Sequence, residues 1–260
     1  MIKLIASDVD GTLLQDGAHT INEEYFEVIR QLRKKGIFFA VASGRQFPSI
    51  CRLFEPVKDE VFFIAENGAY VVCRDRDIAV TPMNRAYVEE LVEQMRGMSD
   101  CILTASGKEA TYIESRDEDF LDLLVNGYHN EVRVVEDVLK ADTTIIKLAL
   151  YCKTGIDPAA KLMVPQWQDK VKAVVAGGLW LDFMDKSVDK GKALSTLQYH
   201  LNVTKEETMV FGDNFNDIGM FMQAAQSYAV ATAKPEVKQN AAHVIEGFES
   251  DGVLKVLKTL

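Results

Sequence analysis

Residues 2–13, IKLIASDVDGTL, join an apolar run to two aspartates, a glycine and a threonine. The run at 2–7 is typical of a strand that is buried on both faces of a sheet. Asp8 and Asp10 follow it, and Gly11 permits a sharp turn, so both carboxylates are predicted at the carboxyl end of the strand. Ligands of open α/β sheets bind at that end. Taken alone, two acidic residues there are more often a turn or capping device than a catalytic pair.

Short apolar runs of the same kind recur in both ends of the chain. They cover 37–42 and 61–65 in the first part, and 208–212 and 227–231 near the end. Segments with helical spacing of apolar residues separate most of these runs. Single strands that alternate with helices predict a parallel sheet covered on both faces. The predicted fold class is therefore α/β, with a Rossmann-like, doubly wound core.

The middle of the chain has a different pattern. After Pro82 the predicted strands come in adjacent pairs rather than alternating singly with helices. Such pairing is typical of an α+β unit with a sheet of its own. We therefore predict a discontinuous core domain of residues 1–83 and 183–260, with an α+β domain inserted at 84–182.

The composition limits the classes of partner. With 260 residues, 48% of them apolar, the chain can bury a real core. Its 29 basic and 39 acidic residues give a net charge of −10, which repels nucleic acid. The first apolar run is interrupted by aspartates, unlike a signal peptide, and no later run approaches membrane-spanning length. We expect a cytoplasmic enzyme with neither a nucleic-acid nor a membrane partner.

The four cysteines, Cys51, Cys73, Cys101 and Cys152, are spread singly along the chain. The absence of a CxxC pair argues against a zinc site, and the spacing gives no disulfide framework. All four are therefore expected to be reduced and mostly buried thiols.

Three further polar motifs accompany predicted strands and helices. Ser43-Gly44-Arg45 follows the second strand, where a hydroxyl and free N–H groups could hold phosphate oxygens. Residues 212–217, GDNFND, place a second carboxylate cluster after another strand, and oxygen ligands from two strand ends suit Mg²⁺. Lys190 opens the preceding helix and could neutralise a carboxylate and a phosphate, with Lys192 as the competing candidate.

These four motifs, in this order, resemble those of the haloacid dehalogenase (HAD) superfamily, and the long insert resembles its type II cap. The similarity is closest to the Cof-type phosphatases, which have a type IIB cap. The matching segments are Asp10 to Leu14, Ser43 to Arg45, Asn67 to Ala69, Lys190 to Leu194 and Gly212 to Met220.

The resemblance implies a Mg²⁺-dependent phosphomonoester hydrolase that works through an aspartyl-phosphate. Asp8 would be the nucleophile. Asp10 would protonate the leaving alcohol and then deprotonate water. The implied Mg²⁺ ligands are the Asp8 carboxylate, the Asp10 carbonyl and Asp213, with Asp217 and Asn216 in supporting positions. The implied phosphate-binding groups are Ser43, the N–H groups around Val9 and Gly44, Lys190 and Asn216.

The implied substrate is a small phosphorylated metabolite such as a sugar phosphate, read by the cap. Each candidate contact in the cap is also a plausible surface or packing residue: Arg116, Asn126, Tyr128, His129 and Trp180. The sequence leaves open whether the protein is a monomer or a homodimer.

Two alternatives to a phosphatase remain at this point. One is a phosphohexomutase resembling eukaryotic phosphomannomutase, which would need clustered cap arginines for a second phosphate. Hydrolysis is preferred because the cap arginines are widely separated in the sequence: Arg85, Arg96, Arg116 and Arg133. The other is a non-catalytic binding protein, in which a motif carboxylate should have been lost, and none has been.

Overall fold

The structure is a computed structural model and describes residues 1–16 and 18–260. The strands are β1 Leu4–Asp8, β2 Phe38–Ala42, β3 Val61–Ala65, β4 Tyr70–Cys73, β5 Arg76–Val80, β6 Cys101–Ser106, β7 Thr111–Ile113, β8 Val132–Val134, β9 Lys147–Cys152, β10 Val171–Ala176, β11 Trp180–Asp185, β12 Thr208–Gly212, β13 Gln226–Val230 and β14 His243–Ile245. The α-helices are α1 Glu24–Lys34, α2 Phe47–Leu53, α3 Arg85–Arg96, α4 Glu118–Asp122, α5 Asp157–Trp167, α6 Lys190–Leu201, α7 Ile218–Met222, α8 Pro235–Lys238 and α9 Gly252–Leu257.

The chain divides into two compact units. The core unit comprises Met1–Ala79 and Asp189–Leu260, and the insert comprises Val80–Val188. The insert therefore begins and ends a few residues outside the predicted range 84–182. None of the helices in the two described ranges is both long and apolar enough to cross a membrane.

The core unit is built on an eight-stranded sheet with the order β14-β13-β12-β1-β2-β3-β4-β5. The strands from β14 to β3 pair in parallel, and β4 pairs antiparallel with β3. All five residues of β1, β3 and β12 are buried, as expected for strands covered on both faces. The predicted α/β fold class is confirmed. The short strands β4 and β5 were not predicted.

The insert has its own six-stranded sheet, with the order β10-β11-β9-β6-β7-β8. Its pairs are antiparallel except for β7 and β8. Alternate residues of the central strands, such as Leu148, Leu150, Leu181 and Phe183, are buried in one apolar cluster with α3 and α5. Tyr151, also on β9, belongs to a second buried cluster with Phe120 of α4 and with Leu124, so apolar residues also cover part of the other face of this sheet.

The prediction that all four cysteines are reduced is wrong. Cys101 and Cys152 form a disulfide between the directly opposed ends of β6 and β9, with Cα atoms 4.2 Å apart. These residues are 51 positions apart, and only the strand pairing brings them together, which spacing along the chain does not reveal. Cys51 and Cys73 are free and half-buried, and burial raises the pKa of both thiols.

Candidate active site

Three loops with polar motifs meet at one edge of the core sheet. In the sheet β1 lies between β2 and β12, and all three strands are parallel. Their carboxyl ends therefore lie side by side: β1 ends at Asp8, β2 is followed by Ser43, and β12 ends at Gly212. This is the position at which open parallel sheets bind ligands.

Asp8, Lys190 and Asp217 form a buried charge cluster at this edge. Lys190 Nζ lies 2.5 Å from Asp8 Oδ1 and 2.8 Å from Asp217 Oδ1. The three side chains are 7%, 0% and 0% exposed, respectively, so water does not screen them. Among the described residues, the second Asp8 oxygen, Oδ2, is buried without a hydrogen-bond partner. The ammonium group thus compensates only part of the cluster's negative charge.

Local structure at the start of α6 places Lys190 in this cluster. The Asp189 side chain caps the helix by accepting hydrogen bonds from the N–H groups of Gly191 and Lys192. A Cβ on Gly191 would collide with the backbone of Gly219, so the glycine permits close contact between α6 and α7. Of the two lysines considered from the sequence, Lys190 is buried in the cluster and Lys192 is exposed.

Asp213 completes the acidic group and is held from the β1 loop. Thr12 Oγ1 donates a hydrogen bond to Asp213 Oδ1 at 2.9 Å. Gly11 has a φ of 83°, and a Cβ there would lie 2.5 Å from Asp213 Oδ2. Both the backbone conformation and the approach of the carboxylate therefore require glycine at this position. The role of Thr12 was not anticipated from the sequence, although it lies within the DVDGTL motif.

Asp217 also holds the loop after β12. Its Oδ2 accepts hydrogen bonds from the N–H groups of Asp213 and Asn214, both at 3.0 Å. The side chain of Asp217 lies so close to Gly212 that a Cβ there would be 2.5 Å from the Asp217 Cβ. Both Asp217 oxygens thus have protein partners, Lys190 at one and the loop N–H groups at the other.

The three carboxylates are arranged as a metal site requires. Asp8, Asp213 and Asp217 each offer an oxygen, and these atoms all lie within 4.8 Å of one another. Burial raises the pKa of Asp8 well above its ordinary value, and the Asp217 carboxylate adds to this effect. Burial and then Asp217 raise the pKa of Asp213 to about 6. With the unpartnered Asp8 oxygen, these shifts fit a site that a hard divalent cation would relieve of its excess negative charge.

Burial alone would lower the pKa of Lys190, but the Asp217 and Asp8 carboxylates raise it above its ordinary value. The side chain is therefore a permanent ammonium group next to the predicted nucleophile. A fixed positive charge beside a carboxylate and an incoming phosphate is the arrangement that phosphoryl transfer requires.

The loop after β2 presents the predicted phosphate-binding groups. Ser43 is buried, and its carbonyl accepts a hydrogen bond from the N–H of Asn67 at 3.0 Å. The Asn67 side chain accepts a hydrogen bond from Asn216 Nδ2 at 2.9 Å and lies against Gly44. The Asn216 Oδ1 atom is buried without a partner among the described residues. Asn67 therefore joins two predicted phosphate-binding segments, a role that the NGA motif did not reveal.

Asp10 lies apart from the three-carboxylate group. Both of its carboxylate oxygens accept hydrogen bonds from the Arg45 guanidinium, at 2.8 and 2.5 Å. The sequence predicted the Asp10 backbone carbonyl, not its carboxylate, as a metal ligand. The contact between the Asp10 carboxylate and Arg45 is therefore compatible with that prediction. The side chain of Asp10 is 26% exposed.

In the insert, the structure brings together two of the five candidate contacts. Trp180 Nε1 donates a hydrogen bond to Tyr128 Oη at 3.1 Å, beside the rings of Phe120 and Tyr151. The other three candidates are placed separately: Asn126 bonds to Asp122, Arg116 is exposed, and His129 has a left-handed backbone conformation.

Residues 5–257 match the family described as haloacid dehalogenase-like hydrolase. The match spans nearly the whole chain, so the protein belongs to this family, and the resemblance predicted from the motifs is confirmed. Relatives that align with almost the full chain are named phosphatases, which supports the predicted phosphatase class.

Individual relatives give the same result. The 5-amino-6-(5-phospho-D-ribitylamino)uracil phosphatase YbjI of Escherichia coli is 28% identical, over 98% of this chain and 95% of its own length. A crystal structure from Eubacterium rectale is 35% identical, with a TM-score of 0.90 over 99% of this chain and 98% of that one. The HAD subclass IIB sugar phosphatase BT4131 is 22% identical and shares the fold, with a TM-score of 0.82 over 99% and 98% of the two chains.

Proposed function

We propose that the protein is a Mg²⁺-dependent phosphomonoester hydrolase that forms an aspartyl-phosphate on Asp8. The observation that carries the proposal is the buried Asp8 oxygen without a partner, within a group of three carboxylates that a single ammonium group only partly neutralises. A nucleophile needs an accessible lone pair, and a divalent cation site needs several converging oxygens.

Asp8, Asp213 and Asp217 are the residues that would hold Mg²⁺, together with the Asp10 carbonyl. When bound, Mg²⁺ would supply positive charge that allows a carboxylate and a phosphate to approach each other. The oxygen-rich donor set fits this ion rather than a softer transition metal.

The chain's own residues then account for both steps. An Asp8 oxygen forms a bond to phosphorus while the bond from phosphorus to the alcohol oxygen breaks, and Asp10 gives a proton to that oxygen. In the second step a water oxygen bonds to phosphorus, the bond to Asp8 breaks, and Asp10 takes the water proton. Ser43, Lys190, Asn216 and the N–H groups around Val9 and Gly44 would bind the phosphoryl oxygens.

The proposed substrate is a small phosphorylated metabolite. The Escherichia coli relative is named for a substrate with a phosphorylated ribityl chain, which supports a phosphorylated sugar or polyol as the class. Tyr128 and Trp180 offer an aromatic surface with a hydroxyl, of the kind that sugar rings and flat bases contact. The cytoplasmic location and the choice between monomer and homodimer stay predictions.

The phosphohexomutase alternative is less favoured. A second phosphate would need free, converging cap arginines, whereas Arg85, Arg96 and Arg133 already have partners within the insert. The non-catalytic alternative is disfavoured because every motif carboxylate is retained and Asp8 Oδ2 is buried without a hydrogen-bond partner among the described residues.

The test is phosphate release from nitrophenyl phosphate with Mg²⁺ or with a chelator, for the wild type and Asp8→Asn. Removal of the nucleophile should lower kcat by at least roughly 10⁴-fold, since the covalent route is closed. The exposed Asp59 provides the matched control, and Asp59→Asn should be as active as the wild type. Full activity in the chelator, or in Asp8→Asn, would contradict the proposal.

A further inference from the structure

Arg45 makes a two-pronged contact with Asp10. Its Nε donates to Asp10 Oδ2 at 2.8 Å, and its Nη2 donates to Oδ1 at 2.5 Å. The same Nη2 also donates to the carbonyl of Ala18 at 2.9 Å. A planar guanidinium that meets both oxygens of a carboxylate fixes the plane of that carboxylate as well as its position.

The backbone of Arg45 is also held by hydrogen bonds. Its N–H donates to Ser43 Oγ at 3.0 Å, and its carbonyl accepts a hydrogen bond from the N–H of Glu66 at 3.0 Å. The Arg45 side chain is only 16% exposed, so its charge is poorly screened by water. One residue therefore links the predicted phosphate-binding hydroxyl to the predicted proton-transfer carboxylate.

We infer that Arg45 is the positioning residue for proton transfer in this enzyme, because it holds the Asp10 carboxylate in one orientation. The inference rests on the proposed role of Asp10. Proton transfer is sensitive to this orientation, because the donor must lie within hydrogen-bond reach of the accepting oxygen.

The inference predicts a dependence on the leaving group. An alcohol or phenol of high pKa needs a proton as it departs, whereas nitrophenolate departs as a stable anion. If Arg45 acts through Asp10, its loss should lower kcat/KM, which reports the first step, far more for poor leaving groups than for good ones. A residue needed only for folding would slow all substrates equally.

The experiment measures kcat and KM for a series of substituted phenyl phosphates with phenols of increasing pKa. Arg45→Lys keeps the positive charge and loses the planar fork. It should lower kcat/KM, which reports the step in which the alcohol departs, about 10²-fold for the poorest leaving group and by less than about threefold for nitrophenyl phosphate. The water-activation step is common to all substrates, so kcat should fall for each of them. The matched control is Arg30→Lys, since Arg30 also contacts a carbonyl, that of Pro56, and a carboxylate, that of Glu60, but at the surface.

Asp10→Asn separates this inference from the proposed function. That variant should lose kcat/KM for the same poor leaving groups. Adding Arg45→Lys to it should lower kcat/KM little further, because the two residues act as one unit. Thermal melting checks that each variant is folded. If Arg45→Lys is not folded, Arg45→Gln replaces it.

Two results would decide against parts of the argument. If Asp10→Asn hydrolyses the whole series at the wild-type rate, the proposed role of Asp10 is wrong. If Asp10→Asn loses kcat/KM selectively for poor leaving groups while the Arg45 variants lower kcat/KM equally for all substrates or for none, the proposed function stands and the positioning role of Arg45 is overturned.

Discussion

The core unit and the insert each contain a cationic side chain that bridges two carboxylates, but the two clusters lie in different surroundings. In the core unit, Lys190 bridges Asp8 and Asp217, and all three side chains are buried. In that setting burial raises the pKa of Asp8 despite the nearby ammonium group. The cluster therefore holds charge where an isolated charge would be strongly unfavourable.

The cluster of the insert is at the surface. Arg96 contacts both Glu114 and Asp137, and its side chain is 38% exposed. Here the hydrogen bond from Arg96 is the main cause that lowers the pKa of Asp137. The same pattern of one cation and two carboxylates thus has opposite effects in the two units. Burial, rather than the ion pair itself, therefore distinguishes a candidate site from an ordinary surface contact.

The largest effect on stability is expected when the buried cluster loses its cation. Lys190→Ala removes the ammonium group that two buried carboxylates share and should lower the free energy of unfolding by about 3–5 kcal/mol. Lys192→Ala is the matched control, because Lys192 lies two residues further along the same helix and is exposed. It should change the free energy of unfolding by less than about 0.5 kcal/mol. Urea unfolding in a chelator measures both. Equal stability of the two variants would show that burial does not set the value of the pair.

A smaller effect is expected at the turn that brings Asp213 to the site. Gly11→Ala forces a left-handed conformation and a clash with Asp213, so it should cost about 1–3 kcal/mol and lower kcat. Gly36→Ala has a similar φ of 79° but nothing within 4 Å of the added Cβ. It should show the conformational cost alone, with kcat unchanged. Loss of kcat in both variants would contradict a specific role for the approach to Asp213.

Sequence patterns were sufficient for the main strands of the core sheet and for the separate sheet of the insert. The run at 208–212 is the strand β12, and the run at 61–65 is β3. These runs could be recognised because strands that are buried on both faces have continuous apolar residues. Strand β5 was missed because it is only partly buried and begins with Arg76 and Asp77, whereas the apolar, buried residues of β4 did carry a signal that was overlooked. A short, partly exposed strand has no strong apolar signal.

The part of the candidate site that lies within sequence motifs could be predicted. Asp8, Asp213 and Asp217 follow strand ends, and the parallel sheet brings them together. The contacts of Arg45 with Asp10 and of Asn67 with Asn216 were not foreseen. They join residues that are far apart in the sequence, and they depend on side-chain conformations that no local pattern specifies. The Cys101–Cys152 disulfide was missed for the same reason.

The pH dependence of Mg²⁺ binding is a milder test of the buried cluster. With a pKa of about 6, Asp213 holds its proton more tightly when folded than when unfolded, where the ordinary value is about 3.9. Without metal, its contribution to stability is present below about pH 4 and is lost as the pH rises to about 6. Because Mg²⁺ competes with that proton, the rise in Tm caused by Mg²⁺ should be small near pH 5 and full near pH 8. Differential scanning fluorimetry measures it, and a Mg²⁺ effect that is independent of pH would contradict the assignment.

The smallest effect is expected at the surface cluster of the insert. Arg96→Ala removes contacts with two carboxylates, Glu114 and Asp137, that water already solvates, so Tm should fall by only about 2 °C or less. The pKa of Asp137 should return towards its ordinary value, because the hydrogen bond that lowers it is gone, and NMR titration of the carboxyl group measures this. Lys153→Ala, which removes an exposed pair with Asp119, is the control and should change Tm even less. A loss as large as that of Lys190→Ala would mean that exposure does not weaken the pair, and the contrast between the two clusters would then need another cause.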